Sequence, residues 1–157
     1  MCHYCGCRHV PLIRDYVAEH ELVVDLGTRA LHEAGTGHLD EAAVLVEQMR
    51  GELESHWRGE ERGVFTVMAE ADELYADYVA PLVDEHRELA AFLGVIDLTS
   101  QDDLHRLAGE MDDLRQHISR EEDGLFPATL VTLSGPAWDR AIDAWHEAHP
   151  GRDMIPD

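Results

Sequence analysis

Apolar residues recur along this chain at intervals of three and four, the period of an α-helix, from Pro11 almost to the C-terminus. No run alternates apolar and polar residues for long enough to make a strand, and the breaks fall where Gly, Pro and Asp gather. A first helix is predicted over about 11–33, opened by Pro11 and ended by Ala34-Gly-Thr-Gly37. Its inward stripe is Ile13, Tyr16, Val17, His20, Val24, Gly27 and Leu31. A second helix starts near Leu39-Asp40 and continues to about Met68, with Leu45, Met49, Leu53, His56, Glu60 and Val64 inward. A third spans about 71–93 and turns Leu74, Tyr78, Val79, Leu82, His86, Leu89 and Leu93 inward. Residues 94–100 connect it to a fourth, capped by Ser100 or Asp102 and kinked or stopped by Pro127. That helix carries Leu104, Leu107, Met111, Leu114, His117, Glu121 and Leu125. A short helix over about 136–148, with Trp138, Ile142 and Trp145, reads as a lid on the bundle end, followed by an irregular tail.

Four helices of about 20 residues with short connections predict an all-α, up-down-up-down antiparallel four-helix bundle. The organisation that follows is an arm over 1–10, a bundle over 11–134, and a C-terminal helix and tail over 135–157. In such a bundle the second and fourth helices run in the same direction and face each other diagonally across the core.

These two helices carry the same phrase. His56-Trp-Arg-Gly-Glu60-Glu61-Arg-Gly63-Val-Phe65 reappears as His117-Ile-Ser-Arg-Glu121-Glu122-Asp-Gly124-Leu-Phe126. A His and a Glu four apart lie on one side of a helix, about 6 Å from each other. His20 and His86 occupy the equivalent apolar-stripe positions of the first and third helices, so each helix turns one imidazole inward. Glu60 and Glu121 add two inward carboxylates, and an unpaired carboxylate in a core costs several kcal/mol. Arg58, Arg62, Arg87 and Arg120 fall off the stripes, so a cation is the expected counter-charge. Imidazole and carboxylate without thiolate suit iron, manganese or zinc, and facing Glu/His helices suit a metal pair. Glu60 and Glu121 are assigned as bridging carboxylates, with His20 and His56 on one metal and His86 and His117 on the other.

The set Glu19-His20, His56-x-x-x-Glu60, Glu85-His86 and His117-x-x-x-Glu121, with Phe65 and Phe126-Pro127 after the two repeats, resembles the hemerythrin-like, or HHE cation-binding, domain family. The resemblance covers about residues 11–130. It implies a four-helix bundle with a non-haem di-iron centre, two iron ions that bind or react with dioxygen and related small molecules. The respiratory pattern of that family has a second His one turn before the third helix's ligand, where this chain has Leu82, and an Asp on the fourth helix, where it has Glu121. The Leu82 difference leaves one metal short of a protein ligand, a place open to solvent or an exogenous ligand, or to Tyr16, Glu52 or Tyr78. Simple oxygen carriage is thereby less favoured, and nitric oxide, peroxide or redox chemistry comes into view. Glu61 and Glu122 either orient a histidine or form solvated surface charge.

Composition narrows the functions further. A chain of 157 residues with 45% hydrophobic content makes one domain, and a net charge of −21 disfavours nucleic-acid and anionic-membrane partners. No membrane span or signal peptide is read, and a cytoplasmic location is expected. All three cysteines lie in the arm Cys2-His3-Tyr4-Cys5-Gly6-Cys7-Arg8-His9. The arm holds the ligand types of a further zinc or iron–sulfur site, of a redox-active thiol pair, or of a plain thiol-rich tail. His32, His38, His105, His146 and His149 fit no ligand pattern and are expected at the surface. Three functions remain: a di-iron module that binds or senses dioxygen, nitric oxide or another small ligand; a di-iron peroxidase or catalase-like enzyme; and an iron-handling protein.

Overall fold

The computed structural model describes residues 6–156, and every long element in that range is helical. In order these are α1 (Ile13–Gly35), α2 (Leu39–Arg62), α3 (Val64–Ala71), α4 (Glu73–Leu93), α5 (Gln101–Arg120), α6 (Phe126–Thr132) and α7 (Gly135–Ala148). A 3-10 turn (Cys7–His9) precedes α1, and a π-helical turn (Glu121–Leu125) joins α5 to α6. Cys2, Cys5 and the side chain of Cys7 lie outside the described residues. No helix among the described residues is long and apolar enough to cross a membrane.

The helix ends follow from local chemistry. α1 stops in a Schellman arrangement: the His38 N–H reaches the Glu33 carbonyl at 2.8 Å and the Gly37 N–H reaches the Ala34 carbonyl at 3.1 Å. Gly37 sits at φ +87°, a conformation that suits glycine. Asp72 caps α4 by accepting from the Leu74 N–H at 2.8 Å. Ser100 caps α5 by accepting from the Asp103 N–H at 3.2 Å, so of the two candidates at this start the serine does the capping.

The four long helices form a ring in which α1 packs on α2, α2 on α4, α4 on α5 and α5 on α1. Two apolar clusters fill it at different levels. One includes Ile13, Tyr16, Phe65, Leu82 and Phe126; the other includes Leu26, Met49, Leu53, Leu107 and Met111. Fully burying each large aliphatic side chain contributes about 1.5–3 kcal/mol, so these clusters are the main source of stability. Between them lies a layer of histidines and glutamates, because each long helix interrupts its apolar stripe there.

Several expectations change. The second helix does not run unbroken to Met68: it ends at Arg62, and α3 begins at Val64. Gly63 between them is packed too tightly for a side chain, since a Cβ would lie 2.6 Å from the Gly59 carbonyl oxygen and 3.0 Å from that of Ala141. The fourth helix ends at Arg120, ahead of Pro127, which instead sits in the first turn of α6, where its missing N–H costs nothing. Leu74, expected inward, is 70% exposed, because α4 turns that side to solvent. α7 packs along α2 and α3 and adds Ala141 and Trp145 to the first apolar cluster.

Candidate metal centre

All six residues singled out by spacing meet in the polar layer. His20, His56, His86 and His117 are each at most 3% exposed, and Glu60 and Glu121 are fully buried. Helical period places them there: His20 follows Val17 by one turn on α1, His56 follows Leu53 on α2, His86 follows Leu82 on α4 and His117 follows Leu114 on α5.

The donor atoms of His20, His56, Glu60 and Glu121 lie within 4.8 Å of one another, and so do those of His86, His117 and Glu121. Glu121 spans the two groups, with Oε2 3.1 Å from His20 Nε2 and Oε1 3.0 Å from His117 Nε2. Glu60 does the same less closely, with Oε1 4.0 Å from His20 Nε2 and Oε2 3.3 Å from His56 Nε2 and 3.7 Å from His86 Nε2. A cation bonded at about 2.1 Å to two donors at right angles holds them about 3.0 Å apart, so the closer of these separations suit ligands of one ion.

Each imidazole is aimed from behind. His20 Nδ1 donates to Glu122 at 3.0 Å, His56 Nδ1 to Glu19 at 2.7 Å, His86 Nδ1 to Glu61 at 2.9 Å and His117 Nδ1 to Glu85 at 2.7 Å. A carboxylate only accepts, so the Nδ1 atoms carry the protons and each Nε2 is turned toward the centre. The grip passes round the ring: α1 holds the α2 ring, α2 the α4 ring, α4 the α5 ring, and the turn after α5 holds the α1 ring. Glu61 and Glu122 are therefore orienting groups, not solvated surface charge. Glu19 and Glu85 do the same work, which spacing alone does not reveal because their partners lie on other helices.

The repeated phrase now has a physical reading at every position. Glu61 and Phe65 both meet His86, by hydrogen bond and by stacking at 5.7 Å. Glu122 and Phe126 both meet His20, the ring centroids 6.0 Å apart and nearly parallel. Gly63 and Gly124 are sites of close approach; a Cβ on Gly124 would lie 2.4 Å from the Tyr78 hydroxyl. That hydroxyl donates to the Arg120 carbonyl at 2.7 Å, at the start of the π-helical turn.

Protein groups alone leave this layer unsatisfied. None of the four carboxylate oxygens of Glu60 and Glu121, nor His20 Nε2, has a partner in hydrogen-bonding geometry among the described residues. The Nε2 atoms of His86 and His117 face each other at 3.0 Å. With both Nδ1 protons committed elsewhere, two neutral rings would oppose lone pairs there, and a proton or a cation removes the conflict. Burial alone would lower the His117 pKa, but Glu121 beside it outweighs that and raises it to about 9. His56 is likewise raised well above the ordinary imidazole value, Glu60 and Glu19 outweighing burial. Burial would raise the Glu121 pKa, yet His117 and His20 hold it far below the usual carboxylate range. The layer thus calls for positive charge, and the donor set fits one or two cations.

Of the three side chains considered for the place left by Leu82, two are engaged elsewhere. Tyr78 is bound to the Arg120 carbonyl, and Glu52 pairs with Arg152 at 2.9 Å. Tyr16 is fully buried, stands edge-on to His56 with centroids 5.3 Å apart, and its hydroxyl has no hydrogen-bond partner among the described residues. Burial and Glu60 push its pKa well above the phenol range. His149, expected at the surface, is 4% exposed and reaches Glu19.

A family model described as the hemerythrin HHE cation binding domain matches residues 12–129. Neither a curated protein nor a solved structure matches the chain.

Proposed function

Because this chain belongs to the hemerythrin HHE cation-binding domain family, we propose that it is a non-haem di-iron protein that binds or senses dioxygen or a related small molecule such as nitric oxide or peroxide. In this reading His20 and His56 would hold one iron and His86 and His117 the other, with Glu60 and Glu121 as shared carboxylates, within an up-down-up-down bundle over 11–134 flanked by the arm and the C-terminal helix. One observation carries it: two buried glutamates, without hydrogen-bond partners among the described residues, each lie within 4.0 Å of an imidazole from both pairs. When bound, the iron pair would supply exchangeable coordination positions and redox capacity for small oxygen- or nitrogen-containing ligands.

The chain's own residues do the rest. Glu19, Glu61, Glu85 and Glu122 fix the rings, and the two apolar clusters keep bulk water from the layer. A cavity of about 430 Å³ is lined by His86 and His117 together with Trp57, Leu114 and Arg120. The enzymatic alternative, a di-iron peroxidase or catalase-like protein, is favoured by one feature, the buried phenol of Tyr16 with its free hydroxyl beside the centre.

Metal analysis of the untagged protein, with absorption spectra of the reduced form before and after oxygen, nitric oxide and peroxide, tests this. Two irons per chain and a visible band that disappears when the gas is removed support binding or sensing. Rapid consumption of peroxide supports the enzyme. Protein that takes up no iron, or whose Glu60→Ala and Glu121→Ala variants keep two irons with unchanged spectra, overturns the ligand assignment.

A further inference from the structure

The family match ends at Thr129, yet α7, beyond it, reaches into the polar layer. Glu19 is the carboxylate that fixes His56, through Oε2 at 2.7 Å. Its other oxygen, Oε1, accepts from the Trp145 indole N–H at 2.9 Å and lies 3.2 Å from His149 Nε2. The His149 ring is itself set, since Nδ1 donates to the Trp145 carbonyl at 2.8 Å and the ring stacks on the Trp145 indole with centroids 4.3 Å apart. Trp145 and His149 are both buried.

This reach depends on how closely α7 lies against α2. Gly59 and Gly63 stand at the contact: a Cβ on Gly59 would meet Ala148 Cβ at 3.5 Å and His149 Cε1 at 3.6 Å, and one on Gly63 would meet Ala144 Cβ at 3.2 Å. Small residues on both helices let the backbones approach, and two polar side chains of α7 then extend over α2 to α1. A buried carboxylate held by one donor can rotate, whereas one held on both oxygens has a single orientation.

We infer that Trp145, with the His149 ring stacked on it, is a positioning residue of the metal centre and acts through Glu19 to fix the orientation of His56. The inference rests on the reading of His56 as a ligand, and makes the C-terminal helix part of the site. Glu85 and Glu122 are backed instead by Arg120 and Arg8 on exposed or half-buried surface, so the hold on His56 is the one built wholly inside the protein.

The variant Trp145→Phe keeps most of the packing and removes the donor to Glu19 Oε1, and His149→Gln removes the ring stacked on the indole. Two readouts apply, with thermal melting to establish folding: the nuclear magnetic resonance signal of the His56 Nδ1 proton in metal-free protein, and the affinity for Fe(II). Both variants are expected to fold, to lose the His56 proton signal to faster exchange with water, and to bind Fe(II) about tenfold more weakly, the lower end of what outer partners of a ligand contribute. Arg140→Ala, also on α7, breaks only the exposed pair with Glu70 of α3 and should change neither readout. Should a variant not fold, Glu19→Gln, which weakens the acceptor in place, carries the same two measurements. Folded variants with an unchanged His56 signal and unchanged affinity overturn the inference. If the wild-type protein takes up no metal, the di-iron reading fails while the His56 signal still decides the positioning.

Discussion

Glu121 and Glu122, adjacent in the chain, reach opposite nitrogens of one ring: Glu121 Oε2 is 3.1 Å from His20 Nε2, and Glu122 Oε1 is 3.0 Å from His20 Nδ1. The π-helical turn at 121–125 carries both. The pair separates two tasks, charge at the centre and aim from behind. Replacing Glu122 with Gln keeps the shape and weakens the acceptor. The variant should fold normally and lose about 10- to 100-fold in iron affinity, measured by titration of the metal-free protein. Unchanged affinity would show that Glu122 has no part in aiming His20.

Glu60 and Glu121 behave differently, because both are buried in the layer with no donor in bonding geometry among the described residues. Saturating metal at 100 times its dissociation constant should stabilise the wild-type fold by about 2.7 kcal/mol. Either alanine variant should lose most of this gain, and chelation should lower the wild-type melting temperature to near that of the variants with metal present. A melting temperature insensitive to chelation would contradict the coupling of metal to fold.

The raised imidazole values set a pH dependence. In the metal-free protein at pH 7, His117, with a pKa of about 9, and His56, also raised well above the ordinary imidazole value, carry protons that a cation must displace. Metal uptake should release protons into the buffer, and affinity should climb as pH rises from 6 toward 9. Metal-free stability should move the other way. A His raised in the folded state contributes fully below its unfolded value of 6.5, and that contribution is lost as pH rises through about 9. Urea melts of the metal-free protein at pH 6.5 and pH 10 check the sign, with the lower stability expected at pH 10.

Tyr16 offers a test in which a truncation does little harm. Its hydroxyl is buried without a hydrogen-bond partner among the described residues, so Tyr16→Phe should leave metal-free stability unchanged or slightly higher. With iron bound, the same variant should alter the visible spectrum if the phenol stands at the place left by Leu82. A loss of more than about 1 kcal/mol in the metal-free protein would mean that the hydroxyl has a partner after all.

The two glycines of the repeat should respond unequally to alanine. At Gly124 the obstacle is the tip of Tyr78, which can swing out and forfeit its bond to the Arg120 carbonyl at a cost of about 1 kcal/mol. At Gly63 the obstacles are the carbonyls of Gly59 and Ala141, so α7 itself must move, and overpacking of this kind costs about 1–3 kcal/mol or more. Chemical denaturation of both variants should show the larger loss for Gly63→Ala.

Helical period made the inner donors legible, because a His or Glu that interrupts an apolar stripe is visible within one turn of the chain. His20, His56, Glu60, His86, His117 and Glu121 were all placed in that way. The groups behind them were harder to read. Glu19 and His56 are 37 residues apart, Glu122 and His20 are 102 apart, and Trp145 and Glu19 are 126 apart, distances over which period carries no information. The break at Gly63 is only partly legible in the same way, since of the two carbonyls that crowd a side chain there one belongs to Gly59, a turn away, and the other to Ala141 of α7. Pro127 misled in the opposite sense: proline signals a helix boundary equally at a start and at a stop, and only the π-helical turn before it shows which.

The circular order of the orienting carboxylates has a mechanical consequence. A slide or rotation of any one rod would disturb its own inward imidazole and, at once, the one its glutamate holds on the next rod. Axial alignment and coordination geometry are therefore a single variable, and a bound cation would act as a tension gauge for all four rods together.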